Sequence, residues 1–140
     1  MRRMLMYLSL IAIVSGAGCG SAGNTGQEKA AVKAAEAWLS IVDGERYADS
    51  WTEAAALFKG SVQQAQWVQT MDTARKPFGK NISRKLMSAS YSTTLPGAPD
   101  GEYVLIQFET SFENKKTAIE TVTPMLDKDG KWRVSGYFMK

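Results

Sequence analysis

Two patterns divide the chain. Up to about residue 75, apolar residues recur at the three-and-four spacing of amphipathic helices; from about residue 81 they alternate, as in half-buried strands. The helical half predicts three helices, over residues 27–42, 46–59 and 61–75. In the first, Val32, Ala35, Trp38, Leu39 and Val42 share one side, and Gly44 follows its end. In the second, Trp51, Ala54, Ala55 and Phe58 form the stripe, with Tyr47 a turn earlier and Gly60 as the stop. Ser50–Glu53 and Ser61–Gln64 both have capping-box spacing. In the third, Val62, Ala65, Val68 and Met71 face one way, and Lys76-Pro77 ends it.

The alternating half predicts four strands. A long, polar first strand covers residues 82–95, and a turn-rich loop follows at 95–101. The clearest strand covers 103–112, with Val104, Ile106, Phe108 and Phe112 on one face. The last two, 118–123 and 131–138, meet at an Asp-Gly turn, a strong hairpin signal. In the final strand Trp132, Val134, Gly136 and Phe138 share a face, opposite Arg133, Ser135 and Tyr137. The expected fold is therefore α+β: three N-terminal helices packed on a curved four-stranded antiparallel meander, a cone with room for a pocket at its open end. Tyr103, Leu105, Tyr137 and Met139 are then apolar where solvent is expected, which makes the outer sheet face a candidate homodimer surface.

Before the first helix the pattern is that of a targeting segment. Arg2 and Arg3 precede a short apolar run from Leu5 to Val14, then small residues, then Cys19. This resembles a bacterial lipoprotein signal, in which the Cys is lipidated and becomes the mature N-terminus. Gly16 stands where such signals usually carry Leu. Plain cleavage, after Ala17 or Ala22 for example, is the alternative. The expected organisation is a signal over 1–18, a lipidated Cys19 with a glycine-rich tether over 19–26, and one domain over 27–140. The expected address is the periplasmic face of a bacterial membrane, or the free periplasm or medium if Cys19 is not lipidated.

Composition narrows the chemistry. There is no His, and Cys19 is the only Cys, which removes Cys-His and Ser-His catalysis, common zinc sites and any internal disulfide. Removing the leader takes away two of 17 basic residues and none of 14 acids, so the net charge falls from +3 to +1. A nearly neutral domain gives no electrostatic case for nucleic acid. No cofactor or metal is expected. Asp127 and Asp129 fit a hairpin turn better than a calcium loop. Asp43 and Asp49 fit helix-end roles, and Arg75, Lys76, Lys80, Arg84 and Lys85 fit a solvated basic face.

Glu120 is the acid of most interest. If Ala118, Val122 and Leu126 face the core, it is a buried carboxylate that needs Arg84 or Arg133 as partner. If Thr117, Ile119, Thr121 and Met125 face the core, it lies in water, and this second register is the expected one. The first would allow an acid-based hydrolase or isomerase site from Glu120, Tyr103 or Tyr137, and Arg84. Otherwise the expectation is a non-catalytic domain that binds an envelope protein or a small ligand.

Several residue groups together resemble the bacterial "domain of unknown function 4019" family. They include Trp38 with Asp43-Gly44, Tyr47 with Ser50-Trp51, Arg75-Lys76-Pro77-Phe78-Gly79, and Pro99-Asp100-Gly101-Glu102-Tyr103. Phe58-Lys59, Gln66-Trp67, Ser83-Arg84, Leu95-Pro96-Gly97, Phe108, Phe112-Glu113-Asn114-Lys115, Glu120-Thr121-Val122-Thr123 and Gly130-Lys131-Trp132-Arg133-Val134-Ser135-Gly136-Tyr137 complete the set. The resemblance implies a small secreted or lipid-anchored bacterial domain without an established activity. The helix-then-meander order is also similar to the cystatin-like cone of the nuclear-transport-factor-two superfamily, a fold that hosts enzymes and binding modules alike.

Overall fold

The computed structural model describes residues 24–140. The signal, Cys19 and most of the expected tether lie outside them. Helix α1 is Thr25–Asp43, followed by α2 Tyr47–Thr52, α3 Ala56–Ser61 and α4 Gln64–Ala74. A 3-10 turn, Lys76–Phe78, leads into strands β1 Asn81–Ser92, β2 Tyr103–Phe112, β3 Lys115–Leu126 and β4 Trp132–Met139. The strands form one open antiparallel sheet in chain order. The architecture is α+β, with the helices supplying the apolar stripe that the inner sheet face needs.

Among the described residues there are four helices rather than three. The expected second helix breaks at Ala54-Ala55, where Ala55 turns extended and its N–H donates to the Val134 carbonyl of β4 at 2.8 Å. The backbone leaves the helix to cover part of a sheet edge, an exchange that local propensity does not register. Both alanines are fully buried. Neither expected capping box forms. The Ser50 and Ser61 hydroxyls donate to the Tyr47 and Leu57 carbonyls instead, and Gly60 lies inside α3. Helix α1 begins two residues ahead of the expected start, at Thr25.

The core joins Ala31, Ala35, Trp38, Leu39 and Val42 of α1 to Val104, Ile106 and Phe108 of β2, with Phe58, Trp67 and Met71 closing it. Trp67 stands edge-on to Phe58 at 4.9 Å. The indole N–H groups of Trp38 and Trp67 donate to the Ser50 carbonyl and hydroxyl, so two large rings are buried with their polar atoms satisfied.

Strand β4 departs from simple alternation. Thr123 pairs with Gly136, but Pro124 pairs with Val134, which leaves Ser135 as an extra residue. Pro124 has no N–H to donate, and a proline inside a sheet is confined to such irregularities. The bulge inverts the phase of the strand. Val134 points inward, and so does Tyr137, whose ring packs edge-on to Trp38 at 5.3 Å. Phe138, expected on the inner face, is turned out and 57% exposed. Of the four residues expected on the outer face, Leu105 is exposed, Tyr137 is inside, and Met139 sits opposite the inward Glu120. Tyr103 is buried beneath the 93–101 loop, where its hydroxyl donates to the Pro99 carbonyl at 2.6 Å.

Candidate functional site

The register of β3 is the one not expected. Ala118, Glu120 and Val122 face inward, and the Glu120 carboxylate is fully buried. Its Oε1 accepts from Arg84 Nε at 2.8 Å and Thr110 Oγ1 at 2.5 Å, and its Oε2 accepts from the Tyr137 hydroxyl. Arg84 sits on β1, opposite Thr110 of β2. The short threonine side chain lets the arginine reach across β2 to β3. The bulge at Ser135 delivers Tyr137 from the other side.

Arg84 then forks onto the last residue of α1. Its two terminal nitrogens donate to Asp43 Oδ2 at 2.8 Å and Oδ1 at 3.1 Å. Asp43 also accepts from Arg75 at 3.2 Å, just past the end of α4. Arg75 gives its remaining terminal nitrogen to the Gly79 carbonyl at 2.7 Å and lies 4.3 Å over the Phe112 ring. Gly79 has a φ of +77°, and a Cβ there would meet the Glu113 carboxylate at 2.8 Å, so the turn that presents this carbonyl needs glycine. Two arginines and two carboxylates thus form one neutral cluster tying the ends of α1 and α4 to all four strands.

The electrostatics follow from closure. Burial opposes the Arg84 charge, but its hydrogen bonds to Asp43 and Glu120 outweigh this and push its pKa up. Burial and the adjoining Glu120 carboxylate hold the Tyr137 hydroxyl well above the ordinary tyrosine pKa. Tyr137 is therefore a donor at neutral pH, and Glu120 has no lone pair turned to solvent.

Of the proposed catalytic set, Glu120, Arg84 and Tyr137 converge, while Tyr103 is held elsewhere by Pro99. Arg133, the other candidate partner for Glu120, instead pairs with Asp127 and Asp129 at the β3–β4 turn. Asp43 and Arg75, expected at a helix end and on a basic face, belong to the cluster. Asp49 keeps a helix-end role, 3.5 Å from Arg46. A depression of about 330 Å³ lies beside the cluster, lined by Asp43, Gly44, Glu45, Arg75, Gly79, Lys80 and Glu113, and neither Glu120 nor Tyr137 reaches it. A larger one, about 470 Å³, lies at the far end between α3 and the β3–β4 turn, with Leu57, Met125 and Leu126 in its wall.

A family model described as "Protein of unknown function (DUF4019)" matches residues 34–137. The chain belongs to this family. The matched DUF4019 segment runs from mid-α1 to Tyr137 and so takes in every member of the buried cluster. No curated protein and no solved structure matches the chain.

Proposed function

We propose that this DUF4019 protein is an exported, lipid-anchored domain of the bacterial envelope that acts by binding a partner rather than by catalysis, on a cystatin-like cone. The observation that carries the choice of binding over catalysis is the closure of Glu120: it is fully buried, and both carboxylate oxygens are occupied by side chains of the same domain. A general base needs a free lone pair within hydrogen-bond reach of a substrate proton. Here the carboxylate instead stabilises the fold.

Anchoring rests on the signal pattern ahead of Cys19. Because α1 begins at Thr25, the intervening chain spans at most about 20 Å, which would hold the domain close to the lipid headgroups. Intact-mass measurement on membrane and soluble fractions tests this. A diacyl or triacyl mass on Cys19, absent from Cys19→Ser, is expected; an unmodified mature chain in the soluble fraction would overturn the anchoring.

The convergence of Glu120, Tyr137 and Arg84 is what favours the second reading, a hydrolase or isomerase. That reading requires the cluster to open to substrate, and carboxyl labelling of native Glu120 separates the two.

A further inference from the structure

One edge of the sheet is strand β1, which pairs only with β2. Three of the five large apolar side chains exposed among the described residues stand on it: Ile82 at 65%, Met87 at 51% and Leu86 at 44%. Leu86 also joins Val32 of α1 and Ala89 in the wall of a groove of about 280 Å³ between α1 and β1. The register of β1 against β2 shifts at Ile82 and again at Met87, so each is the extra, unpaired residue of a bulge. Farther along, the Tyr91 N–H donates to the Glu28 carboxylate of α1 at 3.3 Å. The edge is thereby blunted against a further strand, which would need an unbroken ladder. What it offers a partner is apolar side chains.

We propose that this edge is a membrane-docking face, and that Ile82, Leu86 and Met87 dip into the lipid surface to which the chain is tethered. The proposal deepens the anchored reading and rests on it. Its warrant is where the chain leaves the domain. Thr25, the first residue of α1, lines the same groove, and Cys19 lies six residues ahead of it, within about 20 Å. A tether this short, leaving from the groove, brings the β1 edge to the lipid before β4, which is three strand spacings or about 14 Å farther off. Charge along the edge is close to balance. Lys29 and Lys33 line the groove with Glu28 and Glu36, Lys85 stands across from Glu109, and Lys80, Lys115 and Lys116 flank the Ile82 end with Glu45 and Glu113. Six lysines thus meet five acids, so apolar burial rather than charge drives the contact. The lysine stems lie over it with their ammonium groups at the headgroups. A weak contact suffices, because the tether makes it intramolecular.

The full chain reconstituted into vesicles of phosphatidylethanolamine and phosphatidylglycerol, with and without bromine on the acyl chains, tests it. Tryptophan fluorescence is compared for Met87→Trp, Phe138→Trp and the wild type. Phe138 is as exposed as Met87 but stands on β4. Ile82→Trp serves if Met87→Trp fails to fold. The brominated lipid is expected to quench the emission added by Met87→Trp at least about twofold more than that added by Phe138→Trp, as for a side chain sunk about 5–10 Å into the interface. Sedimentation with the vesicles and the intact mass on Cys19 read the anchoring separately. A chain retained through an acylated Cys19 but quenched no more in Met87→Trp than in Phe138→Trp would overturn the docking and leave the anchoring, with a protein as the remaining occupant of the edge. A chain that leaves the vesicles would overturn both.

Discussion

On the inner face of the sheet, Arg84, Thr110, Glu120 and Tyr137 lie under two helix ends with each carboxylate oxygen of Glu120 occupied. On the outer face of the same strands stand Ser88, Ser90, Leu105 and Phe138, all open to solvent. The side chains with the richest chemistry are therefore sealed, and the exposed ones offer surface rather than reactivity. Position in the fold, more than residue type, separates a site from a structural part.

The largest effect expected from disturbing this contrast is at Arg84. Arg84→Met leaves buried Glu120 without its counter-charge and takes one of two arginines from Asp43. It should cost about 3–5 kcal/mol in denaturant unfolding, since a buried pair broken on one side leaves an uncompensated charge. Adding Glu120→Gln should cost less than the sum of the single changes, by about 1 kcal/mol or more. Strict additivity would show that the two groups do not interact.

Tyr137→Phe comes next, at about 1–3 kcal/mol for a buried acceptor left short of a donor. It also carries a pH signature. The folded-state pKa of Tyr137 is raised, so its contribution is fully present below about pH 10, the unfolded value, and is lost as pH rises above it. The wild type should lose more stability than Tyr137→Phe between about pH 9 and pH 12, and parallel alkaline curves would contradict the assignment.

Tyr47 is the counter-example within the core. Its hydroxyl is buried with no partner among the described residues, and burial raises its pKa. Tyr47→Phe should be neutral or stabilising by up to about 1 kcal/mol, because an unsatisfied group is removed at nearly constant shape. A clear loss on thermal melting would reveal a partner for this hydroxyl.

The smallest expected effect is at the β3–β4 turn. Hydrogen bonds from Arg133 hold the exposed Asp129 carboxyl at about 2. Its contribution is present above the unfolded value near 4 and is lost as pH falls from there toward 2. The melting difference between wild type and Asp129→Asn should shrink across that window, and a constant difference would exclude the pair as its cause.

Much of the fold was legible in the pattern. β2 occupies the expected residues 103–112, and the Asp-Gly hairpin forms, with Gly130 at a φ of +80°. The α1 stripe packs as its spacing required. The break at Ala54-Ala55 was not legible, because its cause is the Val134 carbonyl about eighty residues away. Nor was the register of β3, since either alternating set holds enough apolar residues to face a core. The inward turn of Tyr137 did carry a signal. Pro124, in a strand with neighbours on both sides, calls for an irregularity, and one extra residue in β4 reverses everything beyond it. For the cluster, the sequence offers Arg84 as a partner of Glu120, but Asp43 and Arg75 give no local sign, because helix ends and basic runs usually face water.

Carboxyl footprinting of the native protein tests the central claim most directly. Water-soluble carbodiimide with an amine nucleophile would be followed residue by residue by mass spectrometry. Glu109 and Glu113, both exposed, should label fast, while Glu120 should stay unlabelled until the protein is unfolded. Labelling of native Glu120 at a rate comparable to theirs would mean that the cluster opens to solvent, and it would return Glu120, Arg84 and Tyr137 to the status of a working site.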